Sequence, residues 1–150
     1  MNETAVLAQD VGTWDAVVEV RAAGPPVAPS KGVSENRLVG GRWLVIDFRN
    51  ESGFEGLGVT GWDTGRQAYA STWVDTARTF LAVGEGRWDP EARTMTVTFE
   101  AALPDGRRHR WREVTERPDA ELRQPDGVED PLGQPAVADA PARGRGARAG

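Results

Sequence analysis

The chain has no cysteine and a single histidine, His109, in 150 residues. The first absence excludes disulfides, thiolate nucleophiles, iron–sulfur clusters and cysteine zinc sites. The second excludes a two-histidine metal centre, so the residues imply no metal and no cofactor. Lys31 is the only lysine among 18 basic residues, and 23 acidic ones leave a net charge of −5. An acidic balance argues against a nucleic-acid partner. Long apolar runs are missing, and the start Met1-Asn-Glu-Thr-Ala carries no basic segment. The expectation is a soluble, cytoplasmic protein with no membrane partner. Neither a Gly-x-Ser-x-Gly elbow nor a His-Glu-x-x-His helix occurs. The pairs Gly56-x-Gly58 and Gly84-x-Gly86 sit inside strand patterns with no helix or P-loop lysine after them, so they are not phosphate loops.

What is present is unevenly spread. All eleven aromatic residues, six of them tryptophan, precede Pro118. From there to Gly150 the large apolar side chains are Leu122, Val128, Leu132 and Val137, among five prolines, five glycines and seven alanines. Such a stretch buries too little surface to offset its ordering entropy. The reading is therefore a β-domain over 1–117 and a flexible Pro/Ala/Gly/Arg-rich tail over 118–150. The closing Arg143-Gly-Arg-Gly-Ala-Arg148 has no interleaved aromatic and reads as solvated chain.

The domain reads as all-β. Met95, Val97 and Phe99 alternate with threonines, and Trp14, Ala16, Val18 and Val20 alternate with Asp15, Val17, Glu19 and Arg21, the period of half-buried strands. The stretch 42–48 is apolar on both faces, as in a covered strand. Turn chemistry at Gly40-Gly41, Asp63-Thr-Gly65, Asp89-Pro-Glu-Ala92 and Pro104-Asp-Gly106 divides the chain into about eight strands: 12–21, 33–40, 42–50, 56–63, 66–75, 79–88, 93–101 and 106–116. Short connections make this an antiparallel up-and-down meander, and curling into a barrel relieves its open edges. Glycines inside the strands would ease the coiling. A helical turn over 3–9 would plug one end, and Trp14 would cover it.

Gly12-Thr13-Trp14 at the head of this meander resembles the Gly-x-Trp signature of the calycin ligand-binding barrels. With Gly40-Gly-Arg-Trp-Leu44, Phe54-Glu-Gly-Leu-Gly58, Gly61-Trp-Asp63, Ser71-Thr-Trp-Val-Asp75 and Arg112-Glu-Val-Thr115, it resembles the bacterial domain-of-unknown-function family 1579 over residues 9–117. The resemblance implies a small calycin-like (lipocalin-like) barrel. It also implies about two further strands where this chain has its Pro/Ala/Gly/Arg tail, so closure of the barrel is left open.

Three strand faces carry candidate ligand-binding residues. Trp43 and Asp47 share one face, which turns either to a cavity or to solvent. Tyr69, Ser71, Trp73 and Asp75 share another, either a mixed pocket lining or a core tryptophan beside a carboxylate that caps the turn at Thr76-Ala77. An inward Asp75 needs a partner, Arg42 or Arg112. His109, Trp111 and Glu113 share the third; His109 reads as a surface histidine among arginines, as a haem ligand by analogy with haem-binding calycins, or as a base oriented by Glu113. Asp47 and Glu113 form a conceivable acid–base pair. No residue is assigned a catalytic role.

The leading functional expectation is a non-enzymatic barrel binding a small apolar or amphipathic molecule. The alternatives are a barrel cyclase or isomerase using interior carboxylates, and an interaction module whose open β-edge forms a homodimer. Arg108, Arg110 and Arg112 on one face of the last strand would guard that edge.

Overall fold

A computed structural model describes residues 2–18 and 28–116. They form one short helix, α1 (Glu3–Ala8), and eight strands: β1 (Gly12–Val18), β2 (Ser30–Val39), β3 (Trp43–Asn50), β4 (Glu55–Asp63), β5 (Ala68–Asp75), β6 (Ala82–Asp89), β7 (Thr94–Ala102) and β8 (Arg108–Glu116). The strands make a single antiparallel meander in the order β1 to β8. Among the described residues β1 and β8 do not pair, so the sheet is not closed. The proposed tail, 118–150, and residues 19–21 of the first expected strand lie outside the described residues. No helix among those described is long and apolar enough to cross a membrane.

The turns form for the reasons their side chains supply. Gly40 and Gly41 both have positive φ, 58° and 67°, which a tight hairpin asks of its central pair. Asp63 Oδ1 accepts from the backbone N–H of Gly65 and Arg66 at 2.9 and 3.1 Å, and Asp89 Oδ1 does the same for Glu91 and Ala92 at 2.9 and 3.0 Å. Both replace backbone partners that the chain reversal removes.

The register sorts side chains onto two faces. Two continuous rows cross the concave face, Ser71–Gly84–Phe99–Trp111 and Tyr69–Gly86–Val97–Glu113. Leu44, Phe48, Tyr69, Trp73, Met95, Val97, Phe99 and Trp111 bury there as one core. Each such side chain contributes about 1.5–3 kcal/mol relative to exposure. The strand glycines serve these rings more than they serve bending. Trp73 lies over Gly56 and Gly58, and a Cβ at Gly56 would overlap the indole. A Cβ at Gly84 would stand 2.7 Å from Val97 Cγ1 and 2.8 Å from Phe99 Cδ1. Bulky rings therefore pack across strands whose opposite positions carry no side chain.

Helix α1 packs on β3 and β4 through buried Val6 and Leu7. The Tyr69 hydroxyl donates to the Glu3 carbonyl at 3.0 Å and pins it. The connection to β1 is held by the Asp10 carbonyl, which accepts from Trp14 Nε1 at 2.9 Å and from Asn36 Nδ2 at 3.0 Å. Ser34 Oγ donates in turn to Asn36 Oδ1 at 2.7 Å. The expected helical turn over 3–9 is present as α1, and the half-buried Trp14 is tied by its indole to the helix–strand junction.

Candidate functional site

At the end of β5 and in the middle of β8 the concave face repeats one local arrangement, a tryptophan followed two residues later by an acid. In a strand such residues point the same way. Trp73 Nε1 donates to Asp75 Oδ2, and Trp111 Nε1 donates to Glu113 Oε1, both at 3.0 Å. Each indole N–H is thereby satisfied where burial would make an unpaired donor costly. Trp73, Trp111 and Glu113 are all buried.

On β8 and β7 three rings form a stack. His109 lies on Trp111 with centroids 4.9 Å apart and planes 24° apart, and Trp111 lies on Phe99 at 5.4 Å and 18°. His109 is buried, which corrects the surface-histidine expectation. Arginines that neighbour it in sequence, Arg108 and Arg110, project to the opposite face. The loop between β5 and β6 adds a charge to this aromatic surface. The Arg78 guanidinium carbon sits 5.6 Å from the Phe80 ring centroid and 5.9 Å from that of Trp111, within cation–π range. Sequence reasoning passed over Arg78 and Phe80 because a loop has no period; their i, i+2 spacing was the available signal.

Other candidates separate. Asp75 has both oxygens engaged, since Oδ1 accepts from the Ala77 N–H at 3.0 Å. It is the turn cap of the second sequence alternative, and its partners are an indole and an amide in place of Arg42 or Arg112. Tyr69 is 1% exposed, with its hydroxyl on α1 and its ring edge-on to Trp62 at 5.2 Å. Trp43 and Asp47 lie on the convex face, exposed to solvent. Asp47 and Glu113 are therefore on opposite sides of the sheet and cannot act on one substrate as an acid–base pair. Among the described residues no group of three or more His, Asp or Glu side chains could hold a metal ion.

The fold and the site together define an open eight-stranded antiparallel meander whose concave face is aromatic, carboxylate-braced and edged by a guanidinium. Over residues 1–125 the chain matches the family described as "Protein of unknown function (DUF1579)", and it belongs to that family. No curated protein matches it.

Proposed function

We propose that the protein is a calycin-like binding protein of the bacterial cytoplasm, and that its concave face takes a small, flat amphipathic molecule. The observation that carries this reading is Arg78, a cation held against the faces of Phe80 and Trp111 beside the stacked His109 and Phe99. Phe99, His109 and Trp111 are already packed in the core, so the partly buried Phe80 and Arg78 are what a ligand reaches: flat apolar matter gains dispersion at the Phe80 edge of the cluster, and an anionic end group gains attraction to the guanidinium. The Gly12-x-Trp14 opening, with its indole tied to Asp10 at the helix–strand junction, supports the calycin comparison.

Binding is favoured over proton transfer by the state of the carboxylates. Asp75 is committed through both oxygens, and Glu113 already receives an indole N–H. Fluorescence titration with 1-anilinonaphthalene-8-sulfonate, an anionic aromatic amphiphile, tests the reading. Saturable, one-to-one enhancement is expected, weakened by about tenfold or more in Trp111→Ala. Arg78→Gln is expected to weaken this probe while sparing the neutral N-phenyl-1-naphthylamine. Absence of saturable binding, or binding indifferent to both substitutions, overturns it.

A further inference from the structure

The concave face is covered at its two ends by different means. At the end where β4 turns into β5 lies α1, with Val6 and Leu7 buried beneath it. The Tyr69 hydroxyl holds the Glu3 carbonyl, and Arg93 of the β6–β7 turn donates to Gln9 Oε1 at 3.4 Å. The opposite end, where β3, β5 and β7 finish, carries the β5–β6 loop, residues 76–81. The base of this loop is fixed to β4. The Thr76 N–H donates to the Glu55 carbonyl at 2.9 Å, and Thr76 Oγ1 accepts from the Glu55 N–H at 3.1 Å. Asp75 Oδ1 takes the Ala77 N–H.

Beyond Ala77 the loop folds back over the sheet. It joins β5 to β6, and β7 lies between β6 and β8. Arg78 nonetheless stands 5.9 Å from the ring centroid of Trp111 on β8. Phe80 packs half-buried against the core, while Leu81 beside it is 53% exposed. Thr79, Phe80 and Leu81 make no hydrogen bond among the described residues. Side-chain faces therefore hold this stretch down, where strands and α1 are held by backbone ladders. A segment with few backbone bonds and few buried apolar contacts belongs to the low-stability end of a fold. Under it lie Phe99, Trp111 and His109, rings that are buried only while the loop stays down.

We propose that residues 77–81 are a lid over the aromatic stack. Its hinges are the Asp75–Thr76 brace and Ala82, where pairing with Trp73 resumes. Raised, it uncovers the Trp111 ring and extends the ligand's reach from the edge of the stack to its face. Lowered, it brings Phe80 and Arg78 down on the bound molecule and excludes water, as lids over small-molecule sites do. The ligand in this inference rests on the binding reading above; the opening itself needs none.

The chain has no cysteine, so one introduced thiol reports access without background. Ala101 suits this: it is 4% exposed and sits opposite His109, in the row next to Phe99 and Trp111. Ala101→Cys is labelled with methyl methanethiosulfonate and followed by mass spectrometry, in urea below the unfolding transition. The rate is expected to be nearly independent of urea, because lid opening exposes little surface. Adding Phe80→Ala is expected to raise it at least about tenfold, since the raised lid no longer forfeits a packed ring. Adding Asn36→Ala, which weakens the domain away from the lid, is expected to leave it unchanged. A rate that follows urea as steeply as global unfolding overturns the lid, and so does acceleration by Asn36→Ala to match Phe80→Ala. Saturating 1-anilinonaphthalene-8-sulfonate is expected to slow labelling about tenfold or more. If the probe gives no protection while the urea and variant results hold, the lid stands and the ligand reading falls.

Discussion

The two faces of the sheet use one device to opposite ends. On the concave side, Gly56 and Gly58 make a seat for Trp73; on the convex side, Gly61 makes a seat for Trp43. Trp73 is 7% exposed, and its indole N–H is held by Asp75, so the ring has one place to be. Trp43 is 39% exposed and has water on its outer side. A glycine opposite a tryptophan is thus a packing element in both cases, but only the inner ring is locked by its surroundings. The outer one is presented.

The largest expected effect lies in that inner pair. Trp73→Ala is expected to destabilise by about 3–5 kcal/mol in chemical denaturation, the cost of emptying a buried aromatic site. Gly56→Ala places a methyl in the indole's position and is expected to cost about 1–3 kcal/mol by overpacking. Gly61→Ala makes the same change outside, where Trp43 can swing into solvent, and is expected to cost less than about 1 kcal/mol. Equal losses at Gly56 and Gly61 would break the comparison.

Polar groups differ between the faces as sharply. Inside, Ser34, Asn36, Thr60, Ser71, His109 and Glu113 are buried, and short hydrogen bonds join Ser34 to Asn36 and Thr60 to Ser71, both at 2.7 Å. Asn36→Ala removes the acceptor for Ser34 and one of two donors to the Asp10 carbonyl. A loss of about 1–3 kcal/mol in the same denaturation assay is expected, because a buried group left without its partner forfeits its hydration. Tyr69→Phe deletes one hydroxyl on Glu3 and keeps the ring. About 1 kcal/mol is expected, with faster amide exchange confined to α1.

This contrast also marks what a reader of the sequence can and cannot see. Strand number, order and turn positions were legible because alternation and turn chemistry are local. The face of Met95, Val97 and Phe99 was legible because threonines mark its reverse. The stretch from Trp43 to Phe48 is apolar on both sides, so its alternation carries no sign. What turns Leu44 and Phe48 inward and Trp43 outward is the register with β4, where Gly56 faces Phe48 and Gly61 faces Trp43. His109 was obscured by its chain neighbours, since adjacent residues in a strand occupy opposite faces. The tie from Asp10 to Trp14 and Asn36 had no local signature at all, because it joins a helix end to two different strands.

The smallest expected effect belongs to the rim, where charge meets water. In the β7–β8 turn, Asp105 Oδ1 accepts from the Arg107 N–H at 3.0 Å, and Oδ2 accepts from the Arg107 guanidinium at 2.6 Å. These bonds favour the ionised carboxylate and hold its pKa below the usual range, the backbone bond first and the side-chain bond second. A carboxyl whose pKa falls on folding contributes stability that is fully present above its unfolded pKa. That contribution is lost as pH falls through the folded value, so the window lies below about pH 4. Asn at this position keeps an acceptor for the Arg107 N–H and removes the charge. Asp105→Asn is therefore expected to lower the melting temperature slightly at neutral pH, by an amount that shrinks as the group is exposed and screened. As pH falls through the lowered folded pKa the wild-type carboxyl is itself neutralised, and the two melting temperatures are expected to converge. A gap that persists or widens in acid would mean that the rim carboxylate is coupled to the interior, and that the division between a locked inside and a solvated outside fails at this turn.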